Sequence, residues 1–153
     1  MRDPRPLSTL HGKFKARTRS VLWLVLVPPL RLRAHRRLRR LRAGQVTIVT
    51  VNWNSCQYLR ALLRIVRRRT RREVQILVVD NGSSDGSRAL LAREPNMRAV
   101  RLPFNLGHDL ALDIGFLLVD TEYVVALDVD AIPLHERWLK ELLQPLSTGS
   151  EIS

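Results

Sequence analysis

The sequence has little of several features that restrict what a protein can be. It has a single cysteine, Cys56, among 153 residues, so an internal disulfide framework is excluded and a reducing compartment fits. Its longest apolar run, VLWLVLVPPL at residues 21–30, has ten residues and two prolines, whereas a helix that crosses a bilayer needs about 20. No GxGxxG or GxxxxGK[ST] motif is present, which excludes the usual glycine-rich dinucleotide and P-loop cradles.

Acidic residues are nearly absent from residues 1–44, which contain 13 Lys or Arg and one acid, Asp3. The other 109 residues carry 13 basic and 13 acidic side chains, so the formal net charge of +12 belongs to this basic extension. A globular nucleic-acid-binding domain needs a basic face of its own, which the body's composition does not favour. The extension has three interpretations: a disordered segment, an anchor on an anionic membrane surface through Trp23 and the arginines of 31–42, or a nucleic-acid arm.

Beyond the extension, short β-branched runs alternate with segments of helical periodicity. The runs typical of buried strands are residues 46–51, 74–79, 98–102 and 124–127. The helical segments lie around residues 59–66, 87–93, 110–118 and 136–143. This alternation predicts an α/β fold with a mostly parallel, Rossmann-like sheet and helices on both faces.

Polar residues follow each of the predicted strands. They are Asn52 and Asn54, residues 80–85, residues 105–109, and Asp128 with Asp130. Because parallel strands end at one edge of a sheet and ligands bind beyond that edge, we expect all of these residues on one rim.

Two parts of this rim suggest particular chemistry. Asp128 and Asp130, two apart in extended chain, would project to the same side and share one hard divalent cation with phosphate oxygens. Asp80 has two interpretations of equal standing, a turn residue within DNGSSDG or an acceptor for a nucleobase N–H.

Four segments together resemble glycosyltransferase family 2 with the GT-A fold, in its N-terminal nucleotide-sugar-binding half. They are VTIVTVNWNS (46–55), ILVVDNGSSDGS (76–87), NLGHDLALDIG (105–115) and TEYVVALDVDAIP (121–133). The resemblance implies inverting transfer of a sugar from a nucleotide diphosphate donor to an acceptor hydroxyl, with Mn²⁺ or Mg²⁺ as cofactor. By position it assigns nucleotide-sugar binding to Asn52, Asn54, Asp80, Asn105 and Asp128, and the metal to Asp128 and Asp130.

The sequence departs from the family pattern in two ways. His108, Asp109 and Asp113 replace the residues usual in the third motif, so its sugar or acceptor contacts are not carried over. The chain ends at Ser153, soon after the acidic motif, whereas family members continue into a half that supplies the catalytic base. We therefore expect a truncated protein, or one completed by another chain, with its sheet incomplete at the C-terminus and its base unidentified.

The sequence thus predicts a basic extension at 1–44, a partial nucleotide-sugar-binding domain at 45–146 and a polar tail at 147–153. The predicted function is a family 2 glycosyltransferase with a UDP-sugar as favoured donor and an unidentified acceptor. The expected location is the cytoplasm, or the cytoplasmic face of an anionic membrane contacted by the extension. The alternative is a non-catalytic α/β module whose basic extension binds an anionic membrane or nucleic acid, the latter being less favoured.

Overall fold

The computed structural model of the chain describes residues 42–94 and 96–148. Its elements are β1 (Arg42–Asn52), α1 (Cys56–Arg69), β2 (Gln75–Asp80), α2 (Ser87–Arg93), β3 (Arg98–Arg101), α3 (His108–Leu117), β4 (Thr121–Ala126) and α4 (Trp138–Thr148). The predicted alternation of strand and helix is confirmed. None of the helices in these two ranges is long and apolar enough to cross a membrane. The apolar run at 21–30 and nearly all of the basic extension lie outside the described residues.

Several element boundaries differ from those predicted from the apolar pattern. β1 begins at Arg42, inside the segment assigned to the basic extension, because Arg42 pairs with Thr121 of β4 ahead of a register irregularity. β4 begins at Thr121, whose hydroxyl lies 2.7 Å from the hydroxyl of Thr47 in the neighbouring strand. Backbone pairing and cross-strand hydrogen bonds between hydroxyl groups extend a sheet without apolar side chains. The apolar pattern therefore places the start of both strands too late in the sequence.

The strands form one four-stranded sheet in the order β3-β2-β1-β4, and every pairing in it is parallel. The chain moves outward from β1 through β2 to β3, and then returns to the other side of β1 for β4. The strand order therefore reverses between β1 and β4. In open α/β sheets a ligand crevice opens at this switch point, beyond the carboxyl ends of the strands.

Helices cover both faces of the sheet. On one face, apolar side chains of α1, α2 and α4 form a single core cluster with alternate residues of β1, β2 and β4. Leu59, Leu62 and Leu63 of α1 are at most 2% exposed, and full burial of such a side chain contributes about 2 kcal/mol. On the other face α3 packs on β1 and β2 so closely that a Cβ atom on Gly115 would lie 2.6 Å from Cγ1 of Val49.

Asp85 joins the N-termini of two helices on the same face of the sheet. Its carboxylate accepts hydrogen bonds from the backbone N–H of Cys56, at the start of α1, and of Ser87, at the start of α2, both at 2.9 Å. Burial alone raises the pKa of Asp85, but hydrogen bonds from Ser87 and Cys56 outweigh it and hold the pKa below its ordinary value. The charge therefore stabilises two helix N-termini at once.

Replacing Gly115 by alanine should destabilise the domain, because its methyl group would push α3 away from Val49 and Val79. Overpacking of this kind costs about 1–3 kcal/mol, more than the helix propensity that alanine adds. Urea unfolding measures the loss. The matched control is Gly86→Ala, whose Cβ would meet only the Cys56 sulfur at 3.4 Å, and which should change stability by less than about 1 kcal/mol. Equal midpoints for the two variants would contradict the close packing of α3.

The Asp85 carboxylate should make stability depend on pH in acid. Because its pKa is lower in the folded than in the unfolded chain, its contribution is complete above the unfolded value and is lost as pH falls through the folded one. We expect Asp85→Asn to lower the urea midpoint by a constant amount above about pH 5, and by less below about pH 4. Asp113→Asn, at an exposed position of α3, is the control. A deficit that persists undiminished in strong acid would exclude this role for the charge.

Candidate functional site

The carboxyl edge of the sheet brings Asn52 and Asp80 side by side. They are the last residues of β1 and β2 and are partners in the β-ladder. The amide nitrogen of Asn52 donates to Asp80 Oδ1 at 3.3 Å and to the hydroxyl of Ser83 at 3.1 Å. Asn52 and Asp80 are both 0% exposed, so this pair forms the floor of the edge.

Two oxygen atoms of this pair have no hydrogen-bond partner. Asn52 Oδ1 and Asp80 Oδ2 are buried acceptors without a donor among the described residues. An unsatisfied buried polar group costs about 1–3 kcal/mol, so acceptors of this kind need an explanation. Their chemistry suits the N–H groups of a ligand. Asp80 also has a turn role, because its backbone carbonyl accepts hydrogen bonds from Gly82 and Leu102.

The loops after β1 and β2 are tied together above this floor. Asn54 has a positive φ of 49°, a conformation that asparagine tolerates better than most residues. Its side-chain oxygen accepts the backbone N–H of Ser84 at 2.8 Å, and its own N–H donates to the hydroxyl of Ser83 at 3.0 Å. The predicted binding residue Asn54 is exposed, but its side-chain oxygen already accepts a hydrogen bond that links the two loops.

Asn81 fixes the third loop of the edge. Its side-chain oxygen accepts the backbone N–H of Leu106 at 2.9 Å, and its amide nitrogen donates to Asn105 Oδ1 at 3.1 Å and to the carbonyl of Gly107 at 3.2 Å. The predicted binding residue Asn105 is thus exposed, but its oxygen is occupied by Asn81 and by the N–H of Gly107. Asn81 and Ser83 have no role predicted from the sequence, although their place in the DNGSSDG turn was a signal.

Gly82 is required by the close approach of these loops. It has a φ of +76°, and a Cβ atom there would lie 2.5 Å from the backbone of Phe104, in the loop that precedes α3. Any other residue would be strained by its φ and would also push the loops apart. The turn after β2 therefore positions the third loop through both Gly82 and Asn81.

The acidic pair lies on the loop after β4. β4 ends at Ala126, and the carbonyl of Asp128 accepts the N–H of Ala131 at 2.9 Å. The prediction that Asp128 and Asp130 lie in extended chain is wrong, because this hydrogen bond closes a turn that contains both residues. Both carboxylates are exposed, and Asp128 Oδ1 lies 3.7 Å from Nε2 of His108 at the start of α3.

These carboxylates do not form a complete metal site by themselves. Within the described part of the chain, no three His, Cys, Asp or Glu side chains are grouped closely enough to hold a metal ion. Two exposed carboxylates on one turn do fit a hard cation whose other ligands are water and phosphate oxygens. The donor set therefore agrees with a cation that arrives with a diphosphate.

The structure brings together some of the predicted site residues and not others. Asn52 contacts Asp80 directly, Asn54 is bonded to the turn that follows Asp80, and Asn105 is bonded to Asn81. Asp128 is linked across the edge only to His108 among its described ion pairs. The carboxylates of Asp109 and Asp113, which depart from the family pattern, are exposed on α3, without a hydrogen-bond or ion-pair partner among the described residues.

One concave region of the described residues lies away from this edge. It is a cavity of about 750 Å³ between the segment after α1 and helix α4, and it includes Thr70, Tyr123 and Leu139 in its lining. None of the predicted site residues lines it. At the carboxyl edge the side chains are held by hydrogen bonds between loops.

Comparison with known proteins agrees with this architecture. The sequence profile described as glycosyl transferase family 2 matches residues 47–152, more than half of the chain. The chain is 28% identical over 92 residues to the teichoic acid poly(glycerol phosphate) polymerase of Staphylococcus epidermidis, and 27% identical over 92 residues to an uncharacterized glycosyltransferase of Nostoc sp.. These alignments cover 57% and 58% of the chain but only 13% and 29% of the relatives.

Solved structures show the same fold. The mannosyltransferase PcManGT of Pyrobaculum calidifontis, in complex with GDP-Man and Mn²⁺, superposes with a TM-score of 0.65 at 20% identity, over 89% of this chain and 45% of its own. TarS of S. aureus superposes with a TM-score of 0.57 at 18% identity, over 67% of this chain and 19% of its own. The chain thus spans less than half the length of each of these four relatives. The profile match and the parallel sheet that these structures share show that the chain belongs to glycosyl transferase family 2 and has the GT-A fold.

Proposed function

We propose that the chain binds a nucleotide diphosphate sugar at the carboxyl edge of its sheet and contributes this site to an inverting sugar transfer. The observation that carries the proposal is the Asn52–Asp80 pair, two buried side chains with one unsatisfied acceptor each, beside the strand-order reversal between β1 and β4. A nucleobase carries N–H donors of the complementary kind. Asp80 would accept such a donor, and Asn52 would hold the carboxylate in place.

The acidic turn would hold the diphosphate end of the donor. Asp128 and Asp130 are exposed on the loop after β4, on the other side of the switch point from β2. Mn²⁺ or Mg²⁺ bound there would stabilise negative charge on the departing nucleotide. His108 lies close enough to Asp128 to influence how that carboxylate is oriented.

The proposed donor is the class of nucleotide diphosphate sugars, and UDP-sugars are the first members to test. The GDP-Man and Mn²⁺ in PcManGT support the class, and make GDP-mannose the second donor to test. Inverting transfer needs a base that removes the acceptor proton. We assign this role to neither Asp109 nor Asp113, because no described residue positions either carboxylate.

A nucleotide sugar with Mn²⁺ should raise the melting temperature of the full chain. Saturation at about 100 times Kd adds about 2.7 kcal/mol of stability, a shift of several degrees in a domain of this size. Asp130→Ala and Asp128→Ala should each abolish the part of the shift that requires the metal. Differential scanning fluorimetry with metal alone, nucleotide sugar alone and both together measures it.

The matched control for the acidic turn is Glu73→Ala. Glu73 is an exposed carboxylate before β2, at the opposite end of the sheet. Its removal changes the net charge by the same amount and should leave the shift intact. If no UDP-sugar and no GDP-mannose produces a metal-dependent shift in the wild-type chain, the proposed function is wrong.

Asp80→Asn should lower the affinity of the chain for the nucleotide sugar by at least about tenfold, because an amide oxygen accepts a hydrogen bond from a base N–H less strongly than a carboxylate does. Titration calorimetry at a temperature where the variant is folded measures the affinity, and the melting temperature without ligand measures any structural cost. A variant that melts lower but binds with unchanged affinity would show that Asp80 acts only in its turn.

A further inference from the structure

Four of the six exposed side chains of helix α1 are arginines, and the other two are Gln57 and Tyr58 at its N-terminal end. Its sequence, CQYLRALLRIVRRR, contains no acidic residue, and its leucines and Val66 are buried in the core. We call the exposed side chains on its outer side the arginine face: Arg60, Arg64, Arg67 and Arg68. At a rise of about 1.5 Å per residue, this face extends for roughly 12 Å along the helix.

Most of the positive charge on this face is not neutralised within the described structure. Arg67 forms an ion pair with Glu94, whereas Arg60, Arg64 and Arg68 have no acidic partner among the described residues. These four arginines surround a shallow depression of about 500 Å³ whose other lining residues are Leu90 and Glu94. Arginines four residues apart repel each other and weaken the helix slightly, so the pattern does not serve helix stability.

An exposed leucine lies next to the C-terminal end of the same helix. Leu134 is 81% exposed, and the carbonyl of the preceding Pro133 accepts a hydrogen bond from Arg69 at 2.6 Å. Arg69 is half-buried and lies outside the arginine face, so Leu134 marks the end of the helix that carries this face. Basic side chains on a helix with a protruding apolar side chain at its end suit a lipid interface, since headgroups attract the charge and the acyl boundary accepts the leucine. A soluble polyanion such as nucleic acid would use the arginines alone.

We propose that the arginine face of α1, together with Leu134, binds the surface of an anionic phospholipid bilayer. Its partner is the negative headgroup layer, and no defined phosphate geometry is required. The proposal does not depend on sugar transfer. Because α1 connects two parallel strands, it runs back along the sheet from the carboxyl edge, and docking through its outer side leaves that edge uncovered.

Vesicle co-sedimentation of the full chain tests the charge requirement. Binding to phosphatidylcholine vesicles that contain a minority of phosphatidylglycerol should exceed binding to pure phosphatidylcholine. The double variant R64Q/R68Q should lower the partition coefficient at least about tenfold. Each basic residue near such a surface strengthens binding by about tenfold or somewhat less. The matched control is R98Q/R101Q, which removes the same charge from exposed positions on the edge strand β3 and should bind nearly as well as wild type.

Leu134→Ser separates a membrane surface from a general polyanion surface. It should weaken binding to the anionic vesicles severalfold and leave retention on duplex DNA unchanged. Equal losses for R64Q/R68Q and R98Q/R101Q would overturn the proposal, because net charge alone would then govern binding. Vesicle binding that depends on Arg64 and Arg68 but not on Leu134 would overturn it in favour of a polyanion surface. Unliganded melting temperatures show that each variant is folded.

Discussion

Parallel pairing of β1 with β2 is the constraint on which the candidate site depends. The ladder places Asn52 opposite Asp80 at the last position of both strands. A slip by one residue would turn one side chain to the other face of the sheet and separate the pair. That register is itself held by apolar residues of both strands that must face the helices, so the packing of the core determines the geometry of the edge.

The loops above this edge are built by side chains that satisfy backbone N–H groups. Asn54 accepts the N–H of Ser84, Asn81 accepts that of Leu106, and Asp85 accepts those of Cys56 and Ser87. Short loops pair only some of their own backbone groups, so asparagine and aspartate supply acceptors for the remaining N–H groups. The result is a set of loops held in place before any ligand arrives, which lowers the entropy that binding would cost. Several polar residues in the family motifs therefore act as scaffold.

Charge is divided between two regions of a body whose net charge is zero. The loop after β4 presents Asp128 and Asp130, whereas the outer side of α1 presents arginines. Because α1 begins at the carboxyl edge and runs away from it, these two fields lie on different sides of the molecule. Under the two proposals, this separation would let the acidic turn attract a cation with its diphosphate while the arginines attract a different, anionic surface. A formal charge summed over the body conceals both fields.

The order and type of the elements could be predicted from the sequence alone, because β-branched runs and leucines at helical spacing report which residues must be buried. So could the collection of Asn52, Asp80, Asn105 and Asp128 at one edge, since parallel strands leave no other place for the segments that follow them. Tertiary structure decided the rest. The start of β1 at Arg42 depends on backbone pairing with β4, and the turn at Asp128–Ala131 depends on a backbone hydrogen bond, and neither leaves an apolar signature. Likewise, the hydrogen bond that the N–H of Leu106 donates to Asn81, 25 residues away, exists only because the fold places the two loops side by side.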